Sequence, residues 1–454
     1  MNESRFSWRD ALLVYTRPQV ITLWFLGFAA GLPFLLVFST LSAWLRDYDV
    51  SRSAIGFFAW IGITYSIKVL WAPVVDRLRL PLLYRLGQRR SWILLGQLGI
   101  TLGLVGMALS DPQQQLTSIA LLGLLVAFSS STQDVAIDAY RIEAAIVEYQ
   151  GAMSAAYIFG YRVALLVAGA GALYIADSIN WPVAYLSMAA LMGVGIATVL
   201  LTREPDAQRD TVARTTEQQL MDRVHLDPDS SRWQRLEAWL LGAVVAPFVE
   251  FFRRNGVIAL WLLLFISLYR LSDITMGIMA NPFYLDLGFS KTDIAAIGKV
   301  YGFVMTIVGA MVGGLFVVRF GVYKPLLLGA VLVALTNLLF AQLAQVGPDK
   351  AWLALVISAD NFSGGLSSTA FIAYLSSLTN RAYTATQYAL FSSLMTLPGK
   401  FVSGFSGVIV DSSGYFDFFI YAALLGLPAV ALALWLLLRQ GRLSKGSPQP
   451  GVRD

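Results

Sequence analysis

Apolar residues fall in long runs along this chain, separated by short polar breaks. Twelve runs are long enough to be membrane spans: 20–44, 54–75, 91–110, 115–141, 153–177, 182–202, 256–285, 292–318, 323–345, 350–377, 384–411 and 415–438. In hydrocarbon a backbone N–H or C=O finds no water, so each run must satisfy its own hydrogen bonds as a helix. The runs are continuous rather than alternating, which argues against an outer-membrane barrel. The pattern predicts an all-α polytopic membrane protein of twelve helices. The longest polar stretch, REPDAQRDTVARTTEQQLMDRVHLDPDSSRWQRLEA at 203–238, splits the spans six and six. Its charge and lack of apolar periodicity predict a flexible linker. The following WLLGAVVAPFVEFFRRN, 239–255, predicts an amphipathic lead-in at the membrane surface. The expected organisation is a six-helix half over 1–202, a linker with its lead-in over 203–255, and a second half with a short tail over 256–454.

Charge adds an orientation. Twenty-four Lys and Arg lie on the side of the two termini and four (Arg46, Arg52, Lys291 and Lys350) on the other. Without the linker the ratio is still sixteen to four, so the termini and linker are expected in the cytoplasm. The basic excess is thus read as membrane orientation and not as a nucleic-acid surface. The N-terminal MNESRFSWRDALLVYTRP has no cleavable-signal pattern.

Composition then closes off several chemistries. Of 454 residues 57% are hydrophobic and 13% charged, about half the charged share of an average soluble protein. There is no cysteine, hence no disulfide, and the one histidine, His225, sits in the linker, where it is read as solvated. That leaves no metal site, no histidine proton relay in the membrane and no Ser–His–Asp set. GxxxxGK[ST] is absent, so ATP does not drive this chain by itself. An enzyme is not expected, nor any cofactor; the energy source would be an ion gradient.

Charged residues inside the spans carry the candidate chemistry, because each costs from a few to more than about ten kcal/mol in hydrocarbon. Five are basic: Lys68, Arg162, Arg270, Lys299 and Lys400. Four are acidic: Asp134, Asp138, Asp273 and Asp360, with Asp177 and Asp286 nearer span ends. Some of these charges can simply pair and lock helices together, and Arg270 and Asp273, three apart on one helix, can neutralise each other. Nine are too many for that purpose alone, since a buried pair rarely stabilises more than an apolar one. A polar translocation path accounts for the set better, and its surplus of cations points to an anionic substrate. A carboxylate that loses its water can cycle between charged and neutral forms, so the acids suggest proton coupling, Asp134 first and then Asp273 or Asp360. Gln133, Asn361 and Gln387 can bond amides or sugar hydroxyls, and Trp60, Tyr65, Trp71 and Tyr161 can stack on sugar faces. GGLSS at 364–368 and VAGAGAL at 167–173 permit close helix packing. Asp134, Asp138 and Arg141 in SSSTQDVAIDAYRIEA share one helical stripe running towards the cytoplasmic end; Asp138 is a candidate both for proton coupling with Asp134 and for a gate closed with Arg141.

Six plus six spans around a central linker is the layout of the major facilitator superfamily, which pairs two halves around a midplane site. Internal echoes fit a duplicated half: Arg77 in APVVDRLR and Arg319 in GGLFVVRFG are 242 residues apart, and Arg162 in GYRV and Lys400 in GKFV are 238 apart. More specifically, the chain resembles the AmpG-type muropeptide permeases of that superfamily. The resemblance rests on an ordered set: LGFAAGLPF, IGFFAWIGITYSIKVLWAPVVDR, RRSW, SSSTQDVAIDAY, GYRVALLVAGAGAL, LYRLSDI, GKVYG, DNFSGGLSSTAFIAYL and ATQYALFSSL. It implies proton-driven import of anhydromuropeptides, anionic sugar-peptides, across the bacterial inner membrane, with links to peptidoglycan recycling and β-lactamase induction. The substrate path is expected through Trp60, Tyr65, Lys68, Gln133, Tyr161, Arg162, Arg270, Lys299, Asn361, Gln387 and Lys400, of which Lys68, Arg162, Lys299 and Lys400 are among those inside the matching motifs; a monomer is expected. The resemblance also implies a gate at Asp76, Arg77 and Arg141. The loop after span two departs from the superfamily pattern: Ala72 and Pro73 precede Asp76–Arg77, and Arg89–Arg90 follow a longer spacer. Another bulky anion, such as an acyl-CoA or an amphiphilic drug, is the alternative substrate.

Overall fold

The structure is a computed structural model. It describes residues 7–50, 58–205, 245–290 and 293–446, of which Ala59, Trp60, Ser66, Ile278, Ala295, Lys299, Val300 and 441–446 are described by backbone alone. Nine helical stretches among the described residues are long and apolar enough to cross a membrane: Pro18–Asp47, Gln88–Ala108, Leu116–Ala144, Val147–Ser178, Trp181–Leu201, Ile258–Asp286, Ala296–Phe320, Tyr323–Val346 and Ser406–Gln440. Two further long helices, Lys350–Leu378 and Thr384–Ser403, occupy predicted spans but carry more polar residues, including SADNFSGGLSS and TATQ. The helix Ser406–Gly446 is broken at Gly414, φ +80°, where the sequence predicts the turn between the last two spans. Much large apolar surface faces outwards, including Leu102, Leu121, Tyr174, Leu201 and Phe401, as a lipid-facing wall requires.

The second span departs from the expected continuous helix. Its described part is a succession of short turns, Ala59–Gly62, Ile63–Ser66, Lys68–Leu70 and Ala72–Arg77. Gly62 and the β-branched and aromatic residues around it are weak helix formers. Pro73, which lacks an N–H, stands in the first turn of Ala72–Arg77, so the preceding segment does not run through it. Other spans are also interrupted. The first bends at Phe38, between Pro18–Leu36 and Ser39–Asp47. The seventh breaks at Arg270, between Ile258–Tyr269 and Leu271–Asp286. The fifth and eighth widen into π-type turns at Val167–Gly171 and Ile294–Tyr301.

The chain forms two compact units. One contains Leu12–Ala259 together with Leu375–Ser393; the other contains Met1–Ala11, Leu260–Tyr374 and Leu394–Asp454. Chain order therefore does not decide membership for residues 375–393, which pack with the N-terminal spans. Within the first unit, helices Pro18–Leu36 and Gln150–Leu166 lie backbone to backbone: a Cβ on Gly160 would stand 1.9 Å from the carbonyl oxygen of Trp24. Within the second, Gly365 in helix Lys350–Leu378 sits against Gly302–Phe320, where a Cβ would meet Thr306 O at 2.2 Å. Gly364, its neighbour in GGLSS, faces open space. Gly365→Ala is therefore expected to lower stability by about 1–3 kcal/mol through forced backbone separation. Gly364→Ala should be neutral or gain a few tenths of a kcal/mol from better helix propensity. Thermal unfolding of the two variants in detergent checks this; equal midpoints would remove the close crossing.

Candidate functional site

Helix Leu116–Ala144 carries most of the candidate polar side chains of the first unit. Thr132 accepts a hydrogen bond from Trp71 Nε1 at 3.1 Å, and the Trp71 ring lies 4.9 Å from that of Phe128. The irregular second span is thereby pinned to this helix. Gln133 is fully buried and donates from Nε2 to the carbonyl of Ala29 at 3.1 Å. One residue on, Asp134 Oδ1 is enclosed and has no hydrogen-bond partner among the described residues. Lys68 is half-buried and close enough for its charge to act on Asp134, as does that of Asp138. Tyr65 packs beside Phe34 and Phe38, with ring centroids 5.8 and 6.0 Å away. Tyr161 sits 6.1 Å from Tyr157, and Arg162 is exposed. Lys68, Asp134 and the rings of Tyr65 and Tyr161 thus belong to one neighbourhood of this unit.

In the second unit Arg270 pairs with Asp273 at 2.6 Å and donates to Ser368 Oγ at 2.6 Å. Both side chains of the pair are about a quarter exposed, so they neutralise each other, as their spacing predicts, without being closed off from solvent. Asp360 lies within electrostatic reach of both Arg270 and Asp273. Asn361 is committed to a helix crossing: its Oδ1 accepts from Thr306 at 2.9 Å and its Nδ2 donates to Ile357 O at 3.0 Å. Lys400 is exposed, two residues after Pro398. The side chains of Trp60 and Lys299 lie outside the described residues, as does His225. By backbone, however, Lys299 falls in the π-type turn Ile294–Tyr301. Three intramembrane cations therefore coincide with irregular backbone: Lys68 at the short turn Lys68–Leu70, Arg270 at the break in span seven, and Lys299.

A second constellation sits at the arginine-rich ends of the first unit's helices. Arg89, Asp76 and Glu143 are all about 95% buried. Arg89 Nη2 bonds Asp76 Oδ1 at 2.8 Å and Glu143 Oε1 at 2.7 Å, and Arg89 Nε reaches both Glu143 oxygens at 3.0 and 3.1 Å. Asp76 also accepts from the backbone N–H groups of Ala385 and Thr386, at 3.0 and 2.7 Å, and from Thr386 Oγ1 at 2.7 Å. It thus caps the N-terminus of helix Thr384–Ser403, where orphan amides and the helix dipole favour an anion. Thr384 Oγ1 donates to Glu143. Arg141, 1% exposed, donates to Ser376 Oγ at 2.7 Å and Gln150 Oε1 at 3.2 Å, lies 3.4 Å from Asp138, and covers the Tyr388 ring at 5.1 Å. Arg77, beside Asp76, is half-buried.

Sequence reasoning missed several members of this constellation. Glu143 stands inside the singled-out stretch SSSTQDVAIDAYRIEA, but nothing local shows that it reaches Thr384. Glu204, just beyond span six, accepts from the amides of Arg89 and Arg90 at 2.6 and 3.1 Å and so caps helix Gln88–Ala108. Burial pushes its carboxyl above the usual range, against those two hydrogen bonds, which lower it. Gln387, expected on the substrate path, is 2% exposed and holds Glu250 and the carbonyl of Pro247 instead. Its amide is consumed in joining two protein segments, which removes it from the set of free ligand donors. A groove of about 1010 Å³ bounded by Pro18, Phe25, Tyr140, Val194 and Glu204 includes none of the predicted site residues.

Comparison with known proteins agrees with this architecture. The family described as Major Facilitator Superfamily matches residues 23–399. A protein of Rickettsia felis named putative transporter AmpG 4 is 34% identical over 420 residues, 92% of this chain and 96% of that protein. The anhydromuropeptide permease of Escherichia coli strain K12 is 32% identical over 428 residues, 93% of this chain and 80% of the relative. Among solved structures, the E. coli fucose:proton symporter superposes with a TM-score of 0.65 at 13% identity, covering 92% of this chain and 97% of that one. At that identity the superposition speaks for the fold alone.

Proposed function

The chain belongs to the major facilitator superfamily, in the branch that holds the AmpG transporters, and on that premise we propose that it imports anhydromuropeptides with protons. The ligands would be GlcNAc-anhydroMurNAc and its peptides, taken up across the bacterial inner membrane for cell-wall recycling. The termini and the linker would face the cytoplasm, by the distribution of Lys and Arg.

The observation that carries the ligand class is the coincidence of Lys68, Arg270 and Lys299 with interrupted helices. Irregular backbone at membrane depth persists where it is buried in protein or lines a wet cavity, and a cation placed there has a use for an anion. The stem peptide of the ligand supplies carboxylates. In the first unit its sugars would meet Tyr65, Tyr161 and Trp60, beside Gln133 and the exposed Arg162; Lys400 is exposed in the second unit, where Asn361, like Gln387, is spent on contacts within the protein.

The acids divide by their partners. Each carboxylate oxygen of Asp76 and Glu143 already accepts a hydrogen bond. Those two acids, with Arg77, Arg89, Arg141 and Asp138, would form the cytoplasmic gate. Asp134 Oδ1 has no such donor and is the atom to which a transported proton would add. Asp273 and Asp360, sharing Arg270, would be the corresponding group in the second unit.

Purified protein in vesicles should accumulate labelled disaccharide and disaccharide-peptide when a pH gradient is imposed, and not without one. Absent or gradient-independent uptake would sink the reading. Stronger competition by an acyl-CoA than by the sugar-peptide would move the substrate assignment to another bulky anion.

A further inference from the structure

Glu250 is a buried carboxylate that the mechanism above does not use. It lies on helix Ala246–Asn255, the described end of the connection between the two sets of spans, and its side chain is 1% exposed. Its Oε1 accepts from Asn380 Nδ2 at 2.9 Å and pairs with Arg254 Nε at 3.0 Å; its Oε2 accepts from Gln387 Nε2 at 2.6 Å. Gln387 Oε1 in turn accepts from the backbone of Asn380 at 2.8 Å, closing the turn on itself. Arg254 Nη2 donates to Leu378 O at 2.6 Å, and the Phe251 ring sits 5.2 Å from Phe391. A charge this enclosed is costly unless hydrogen-bonded. Here three donors from two segments of chain converge on it, and an uncharged side chain of the same size offers one acceptor oxygen in place of two.

The turn held in this way is the one that supplies the gate. Thr384, Ala385 and Thr386, which bond Glu143 and Asp76, fall between Asn380 and Gln387, which bond Glu250. Residues 380–387 are thus held at both ends by Glu250 and between them by Asp76 and Glu143. We propose that Glu250 is a positioning residue: helix Ala246–Asn255 latches the turn 380–387 so that its amides and hydroxyls are presented to Asp76 and Glu143. The linker then does more than connect the two sets of spans, because its last helix sets how readily the gate lets go. The inference rests on the gate assignment of the preceding section for its transport consequence alone.

Hydrogen exchange followed by mass spectrometry on the full-length protein in detergent tests it, paired with vesicle uptake. In Glu250→Ala the amides of 384–387 should exchange at least about tenfold faster while those of helix Gln88–Ala108 keep their protection. Vmax of uptake should fall about tenfold with KM within about twofold, because the latch touches no substrate. Phe252→Ala, on the exposed face of the same helix, should leave both readouts at the wild-type level. Wild-type exchange at 384–387, acceleration spread evenly over the chain, or local acceleration with an unchanged Vmax would each overturn the proposal. If Glu250→Ala does not fold, Glu250→Gln is judged by the same criteria. Exchange needs no substrate, so failure of the ligand assignment would show in wild-type uptake and leave the exchange result standing.

Discussion

Asp134→Asn is expected to abolish gradient-driven uptake in vesicles while leaving substrate counterflow, which needs no net proton movement. The substitution keeps shape and volume and removes no hydrogen bond that Oδ1 makes among the described residues, so the fold should tolerate it. What it removes is the titratable site beside Lys68. A loss of tenfold or more in driven uptake, about 1.4 kcal/mol or more in the coupled step, is the expected size. Counterflow that falls in parallel would instead mark Asp134 as part of ligand binding. Normal driven uptake would take it out of the proton path, and Asp360→Asn would then be the variant to measure.

Arg89→Met is expected to be the most destabilising single change on the arginine-rich side, at about 3–5 kcal/mol. The guanidinium is the shared partner of Asp76 and Glu143, each about 95% buried, and its removal leaves two enclosed carboxylates with no cation between them. Arg89→Lys keeps the charge but not the fork that reaches both Glu143 oxygens and Asp76 at once, so it should recover only part of the loss. The double variant Arg89→Met, Glu143→Gln should be more stable than Arg89→Met alone, because the second change removes an uncompensated charge. Thermal unfolding in detergent of the three variants measures this. A double variant less stable than the single one would mean that Glu143 has cationic support other than Arg89.

The candidate site was legible in the sequence to the extent that cost reveals it. A charged residue in an apolar run stands out whatever the neighbouring helices do, and Lys68, Asp134, Arg270 and Asp360 are candidates on that ground. Arg270 and Asp273 were also legible as a pair, because three residues along a helix is a local distance. Glu250, Glu204 and Glu143 were not. They lie in or beside polar stretches where an acid is ordinary, and their burial arises only when a distant segment covers them. Gln387 was misjudged for the same reason, since a glutamine at the start of an apolar run reads as free until Glu250 is placed beside it.

The sequence by itself determined that the chain crosses a membrane many times as helices. A helix satisfies its backbone from residues four apart, and hydrocarbon leaves no other solution, so hydropathy suffices. It did not determine where the helices break, because Phe38, Arg270 and the turns of the second span depend on packing as well as propensity. Nor did it determine the pairing of Asp76 with the amides of Ala385 and Thr386, more than three hundred residues away along the chain. Such contacts depend on which helix ends the fold brings together. The desolvation and hydrogen bonding that then fix each carboxylate's task belong to the assembled surroundings and have no counterpart in the local pattern.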